Sequence, residues 1–389
     1  METGAAGSRM TSLSTSARAV LAELTRRGRA TRPQISQALG LSKPTVSTAM
    51  SELEELGLVR EDGSVQGHTG RSALLWRIGE GAGHVLGVDV GVTRTRIHAH
   101  ALSGERLLGV SRDVTSPASR SGTADLTASA DAAGALLRET LPRLGDSGPL
   151  RQIVIALPTV VTDRDPAAAS QSPEVHDMLK ALSLPQAPLL LENNVNCAAV
   201  AEGNLGVAQG AAQFAYVQAG VRIGAALVLG GRLLRGASGW AGEVAHLPFP
   251  WDAGREPVPE GLERFLGAED LLLRTAAAWP ASEGEPPTSA EELFRRAGEG
   301  CPPAQRAVTE HATQVGRLVV AVVALLDPGL VVLGGGVGSN PLLVQGVQET
   351  LSTLSIPVEI RRSGLGATAT VEGAAVLARE QALHRLIHA

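Results

Sequence analysis

The chain has 389 residues, a formal net charge of −5, 44% hydrophobic but only 2% aromatic residues, 45 glycines and two cysteines. That length accommodates two or three domains with cores of Ala, Val and Leu, and the cysteine count excludes a disulfide framework or a Cys-rich zinc module. Met1 to Met10 carry no secretory pattern and the longest strongly apolar run, Leu318 to Leu326, is too short to cross a bilayer, so the expectation is a soluble, cytoplasmic protein without a membrane partner.

Residues 1–14 read as a flexible N-terminus. From 15 to 80 the pattern is that of a small DNA-binding head. Residues 1–80 hold ten Lys/Arg against eight Asp/Glu, so this end is mildly basic and the remainder acidic. Thr15 to Arg27 repeats Val20, Leu21 and Leu24 at helical spacing and stops at Gly28. Thr31 then caps a short helix with Pro33 in its first turn, and Gly40 supplies a left-handed turn. Ser42 caps a second helix that carries Pro44 in its first turn. In that helix Val46, Met50, Leu53 and Leu56 form a buried stripe, while Lys43, Thr45, Ser47, Thr48 and Ser51 face outward. A small, polar, charge-poor face suits a helix held close to base edges in a major groove. Glu61-Asp62-Gly63 reads as a hairpin turn, with Gln66 to Arg71 as a second Gly-rich segment: a wing whose Arg71 can reach phosphate or the minor groove. A generic protein-binding helical domain would fit each piece separately; caps, turn and wing together point to DNA. The DNA-contacting set is Arg32, Lys43, Pro44, Thr45, Ser47, Thr48 and Arg71.

Residues 83–389 change to short apolar strands and Gly turns. His84 to Thr93 and Arg94 to Ala101 read as a strand, tight turn and strand, with Asp89, Gly91 and Thr93 placed to wrap a phosphate and a hydrated metal. Thr115 to Ala128 reads as a mobile loop, and Ile153 to Leu157 as a buried strand. Pro188 to Leu191 leads into the Asn-rich loop, where Asn193 or Asn194 caps a helix reaching Leu205. Phe214–Gln218, the turn Gly220–Gly224 and Ala225–Leu229 repeat the strand-turn-strand pattern, followed by Gly230-Gly231 and the stretch to His246. A helix at Ala312–Leu326, the strand Leu330–Leu333, Gly334-Gly335-Gly336 and a terminal helix around Gly373-Ala374-Ala375 complete the chain. Two similar sets of hairpins and helices imply two lobes around a cleft.

Three segments, Gly231–Glu243, Asp327–Gly336 and the Asn loop, together resemble the ROK family of repressors, open reading frames and sugar kinases. The resemblance implies an α/β fold: an N-terminal winged helix-turn-helix on a two-lobed actin/hexokinase-like body. The departures are informative. Family kinases read Glu-Asn-Asp in the Asn loop, the Asp being the base that deprotonates the sugar hydroxyl. Here Asn194 replaces it, and an amide cannot act as a general base near neutral pH. Val92 stands where the first phosphate hairpin has its second Gly, and would be strained at positive φ. Val221 and Arg222 replace the Thr-Gly of the second phosphate loop, with Arg222 expected to project toward the nucleotide. The family's zinc site pairs His246 with three Cys, yet Trp251 to Gly261 contains no Cys, so no metal is expected.

The sugar-binding positions survive as Asn193, Glu243, His246 and Glu263, which suits hydroxyl contacts in a cleft. The segment Leu157 to Pro185 is short, with Pro158-Thr159 where Pro-Gly would stand, so a sugar, an altered small ligand or none all remain open. The resulting expectation is a non-enzymatic regulator without a cofactor, most simply a repressor. It would read an inverted-repeat operator as a homodimer or homotetramer, with a sugar as its effector. An effector-independent regulator whose body only dimerises is the alternative, and a sugar kinase the weaker third.

Overall fold

The computed structural model describes residues 13–66, 72–114, 126–169, 172–248, 256 and 258–388. The head begins with α1 (Thr15–Arg27), capped by the Ser14 hydroxyl and ended by Gly28 at φ 77°. After β1 (Arg29–Thr31), α2 (Arg32–Leu39) starts from a reciprocal capping box between Thr31 and Gln34. Gly40 takes the left-handed conformation at φ 64°, and α3 (Lys43–Glu55) starts from Ser42, whose hydroxyl accepts the Thr45 N–H at 3.3 Å. These local signals are as the sequence indicates. Val46, Met50 and Leu53 are buried, but Leu56 is not: it sits past the last turn of α3 and is 43% exposed, while Leu58 enters the core in its place.

The expected turn at Glu61-Asp62-Gly63 is also corrected. β2 (Val59–Gln66) continues through it to pair with β3 (Ser72–Ile78), and the break in register between Glu61 and Ser64 is a bulge. Gly63 at φ 85° absorbs the extra residues of that bulge and does not turn the chain back. Residues 67–71 between β2 and β3, and with them the expected DNA contact Arg71, lie outside the described residues. β1 pairs with the other edge of β3, giving a three-stranded sheet β1-β3-β2 that local pattern alone did not reveal.

The body consists of two lobes built on one plan. In the first, β4 (His84–Val90), β5 (Arg94–Ala101) and β6 (Arg106–Asp113) form an antiparallel meander. It is followed by α4 (Leu126–Thr140), β7 (Leu150–Leu157), α5 (Pro166–Ala169), α6 (Pro173–Leu182), β8 (Leu189–Asn193) and α7 (Asn194–Asn204). The sheet order is β6-β5-β4-β7-β8, with β7 and β8 parallel to β4. In the second, β9 (Phe214–Ala219), β10 (Ile223–Leu229) and β11 (Arg232–Leu234) form the meander. Then come α8 (Glu263–Leu266), α9 (Ala268–Ala277), α10 (Ala290–Gly298), α11 (Pro302–Leu326), β12 (Leu330–Gly334), α12 (Gly335–Gly338), α13 (Pro341–Thr353) and β13 (Glu359–Arg362). The order β11-β10-β9-β12-β13 repeats the first lobe's, as the paired hairpins in the sequence suggest. Of the loop expected at 115–128, residues 115–125 lie outside the described residues and 126–128 already belong to α4. The helix expected from Ala312 starts ten residues earlier, at Pro302. By length and composition α11 could cross a membrane, yet half of its apolar stretch is packed inside the second lobe.

α14 (Ala369–His388) returns to the first lobe and joins the parts of the molecule. Its flank packs on α7 and on β4 and β7, and its last turns pack against α1 of the head. One continuous apolar core therefore runs from Leu21 and Leu24 of α1 through Leu383 and Leu386 to Ala374, Cys197 of α7 and Val154 of β7. The absence of a side chain at Gly87 in β4 allows this approach: a Cβ there would lie 2.5 Å from Ala375 N and 2.6 Å from Val371 O.

Candidate functional site

In the head, the N-terminal half of α3 presents Lys43, Pro44 and Thr48 to solvent, with Thr45 and Ser47 half-buried. The Thr45 hydroxyl is engaged at 2.7 Å by that of its cap, Ser42, which leaves its methyl as the outward group. Arg32 lays its guanidinium over the buried Trp76 of β3, 4.8 Å from the ring centroid, and so bridges α2 to the wing sheet. Lys43, the first residue of α3, is exposed.

In the body, the cleft is centred on the junction of β8 and α7. Asn193 is both the last residue of β8 and the cap of α7: its Oδ1 accepts the N–H groups of Val195 at 2.8 Å and Asn196 at 3.2 Å. Its Nδ2 donates to Thr159 O at 3.0 Å and to the Glu243 carboxylate at 3.4 Å, so the amide orientation is fixed from both sides. Glu263, at the start of α8, accepts the Ile223 N–H at 2.9 Å. His246 packs its ring against Trp240, centroids 4.9 Å apart. Asn193, Asn194, Glu243, His246 and Glu263 all line one cavity of about 80 Å³. The larger cavity, about 310 Å³, lies between α9 and α11 and includes none of these residues.

Burial, reinforced by the negative charge of Glu263, raises the Glu243 carboxyl to about 7, so near neutrality it exists in both protonation forms. Burial also raises Glu263, opposed by the Ile223 N–H and by Arg222. Such a pair can both donate to and accept from ligand hydroxyls, which is what a polyol requires.

The comparisons with known proteins agree with this architecture. Residues 85–381 match the ROK family. The chain belongs to the ROK family. Residues 13–60 match the winged helix-turn-helix DNA-binding family. A bifunctional enzyme NanE/NanK of Brucella suis is 31% identical over 194 residues, 49% of this chain and 35% of that enzyme; the chain thus spans about a third of the length of that relative. The xylose repressor of Caldicellulosiruptor bescii is 23% identical over 78% of each chain. Among solved structures, a ROK family transcriptional regulator, a homologue of the E. coli MLC protein, superposes with TM-score 0.71 at 20% identity over 96% of this chain and 97% of that one. The ROK hexokinase of Thermus thermophilus gives TM-score 0.55 at 30% identity over 77% and 99%.

Against the ROK kinase pattern, the phosphate-binding elements are altered in ways the sequence shows only in part. Val92 escapes the strain that a positive φ would impose, because the left-handed non-glycine residues among those described are Ser183, Glu260, Asp327 and Ser355. Asp89, retained in the first hairpin, has its carboxylate 3.4 Å from the Arg96 guanidinium of the same hairpin. Burial raises the Asp89 carboxyl to about 6 despite that cation. Arg222, expected to face a nucleotide, lines the same cavity as Asn193 and Glu243, with its Nε 3.8 Å from Glu263 Oε1. Of the stretch where the family's zinc cysteines would stand, residues 251–255 and 257 lie outside the described residues.

A further group escaped the sequence reading. Glu192, 1% exposed, receives two hydrogen bonds from Arg235 at 2.6 and 2.9 Å, one from Asn196 at 3.0 Å and one from the Asn193 N–H at 3.1 Å. It ties the Asn loop to Arg235, the residue that follows β11 in the opposite lobe. The signal was available: a Glu ending an apolar strand is buried, and a buried carboxylate needs a cation. Two cations serve it: Arg235, 43 residues away, and Arg164, whose Nε lies 3.2 Å from Glu192 Oε2.

Proposed function

We propose that this protein is a sequence-specific DNA-binding transcriptional regulator, a repressor whose kinase-like body senses a small polyol, most simply a sugar, and does not phosphorylate it. The observation that carries the reading is the pairing of a winged helix-turn-helix with a cleft in which Asn194 holds the place of the base. General-base catalysis is worth a factor of about 10²–10⁴, and the contact of Asp89, the carboxylate that would serve a nucleotide-bound metal, with Arg96 at 3.4 Å supports the same reading. Neither a metal nor a cofactor is needed for the proposed role. The names of the relatives, repressors and kinases alike, are consistent with a shared body used in two ways.

The division into a DNA-binding part (15–80) and an effector and dimerisation part (83–389) gives each a task. Two heads of a homodimer, or of each pair in a homotetramer, would read half-sites of an inverted repeat about 34–36 Å apart in the cytoplasm. Effector binding would pull the lobes together across Asn193, Glu243 and Glu263. α14 is the element through which that movement reaches the head: Thr370 Oγ1 donates to Asn194 O at 3.4 Å at one end, and Leu386 shares a core with α1 at the other. The effector-independent alternative is favoured by one observation, the cleft's volume of about 80 Å³, below the about 300 Å³ at which ligand pockets begin. A bound sugar therefore requires a more open cleft than the one described.

The decisive experiment is binding of the purified protein to its own upstream DNA over a range of salt, with and without a panel of sugars and sugar phosphates. Selective, salt-sensitive binding that one sugar weakens is the expected result. Selective binding that no sugar changes would leave only the effector-independent regulator, and absence of selective binding would overturn the regulator itself.

A further inference from the structure

On β5, His98 and His100 alternate with Ile97 and Ala99, so the two imidazoles share the face covered by α14 while the apolar pair packs into the opposite core. Glu372, in the first turn of α14, reaches between them. Its Oε1 lies 3.0 Å from His98 Nδ1 and its Oε2 3.2 Å from His100 Nε2. The side chains of His98, Glu372 and His100 are 6%, 10% and 12% exposed. One atom of each lies within 4.8 Å of the other two. The second contact is at ion-pair distance but lacks hydrogen-bond alignment, so His100 Nε2 faces the Glu372 carboxylate with no geometric hydrogen bond to complete it.

We infer that His98, His100 and Glu372 form a binding site for a divalent transition-metal ion of the zinc class, separate from the cleft. Two imidazoles and one carboxylate are a donor set that zinc accepts, at about 2.0–2.2 Å from each atom. Tetrahedral ligands at that distance stand about 3.4 Å apart; the two nitrogen–oxygen separations are 3.0 and 3.2 Å, each to a different carboxylate oxygen, and the three donor atoms lie within 4.8 Å of one another, so a bound ion would draw the imidazoles together. When the ion is bound, each neutral ring carries its proton on the other nitrogen, Nε2 of His98 and Nδ1 of His100. The fourth position opens toward Arg106, which is 57% exposed and contacts Glu372 Oε1 at 3.3 Å. Arg106 competes for the carboxylate and can swing into solvent as a water completes the coordination.

The location gives the ion a structural task. It would brace β5 against the first turn of α14, the helix that runs from behind the Asn loop to the head. None of the four residues is among the cleft residues or those of the family's zinc motif, so the inference does not depend on what the cleft binds.

The test uses untagged full-length protein stripped with EDTA and titrated with zinc chloride, followed by cobalt(II) substitution read by visible absorption. One zinc per chain is expected, together with a rise in melting temperature and a four-coordinate cobalt spectrum. His98→Ala and His100→Asn should each weaken binding by about 100-fold or more. Arg106→Ala should tighten it several-fold, the opposite of what loss of a purely structural ion pair would do, and this variant keeps the question answerable if a histidine variant fails to fold. The exposed pair His384 and His388, with ring centroids 4.5 Å apart on the last turn of α14, is a surface zinc trap and sets the control. Binding abolished by His384→Ala but retained in His100→Asn would overturn the proposal, as would failure of the wild-type protein to bind zinc.

Discussion

Replacing Gly87 by alanine tests the close approach of α14 to the first lobe, and two effects oppose each other. In a strand, alanine should be favoured over glycine by about 0.5–1 kcal/mol through the entropy of the unfolded chain, and burying one more methyl contributes about 0.8 kcal/mol. Against this, the new Cβ would lie 2.5 Å from Ala375 N and 2.6 Å from Val371 O, whereas ordinary contact begins at 3.4 Å. The helix would have to lift by about 0.9 Å along most of its flank, because both atoms belong to its backbone and no rotamer relieves them. Overpacking against side chains alone costs about 1–3 kcal/mol, and backbone is less yielding, so the clash wins. We expect a net loss of about 2 kcal/mol or more, a fall of about 3 °C or more in the melting temperature of a body of about 300 residues. Gly298→Ala is the control: it lies in α10 with nothing within 4 Å of a Cβ, so it should be neutral or slightly stabilising. Thermal unfolding followed by circular dichroism and by operator binding reads both. If Gly87→Ala melts at or above the wild type, the helix is not held at the distance described and its role as the link to the head fails.

Three further outcomes are expected. Asn194→Asp alone should not produce sugar phosphorylation in a coupled ADP-release assay, because Asp89 remains tied to Arg96; turnover with any sugar of the panel would refute that account. The Glu243 carboxyl, raised to about 7 in the folded state from its usual 4.5, favours the protonated form on folding. Its contribution to stability is therefore complete below about pH 4.5 and is lost as pH rises through about 7, so the melting temperature should fall over that window and fall less in Glu243→Gln. An unchanged slope in the variant would show that Glu243 does not titrate there. In the head, Lys43→Ala should weaken DNA binding about equally for all sequences and lower the salt slope by about 1, while Ser42→Ala should destabilise α3 by about 1 kcal/mol through loss of its cap; a Lys43→Ala variant with unaltered salt dependence would remove that residue from the interface.

The sequence by itself determined the features that depend on neighbouring residues: the caps at Thr31 and Ser42, the left-handed Gly40, an Asn cap for α7 at 193 or 194 and the strand–turn–strand units of both lobes. These follow from φ, ψ and hydrogen-bonding preferences that act within about one turn of chain. The same local reasoning misjudged Leu56, because where a helix stops decides which face its last residue shows, and it took Asp62-Gly63 for a turn when pairing with β3 made it a bulge. Tertiary structure alone decided the long-range pairings of charged side chains. Arg222 meets Glu263 across 41 residues, Arg235 meets Glu192 across 43, and His98 meets Glu372 across 274. A buried carboxylate must find a donor or a cation, and composition states that need. Only the packing of α14 and the closing of two lobes around one cleft determine which residue meets it.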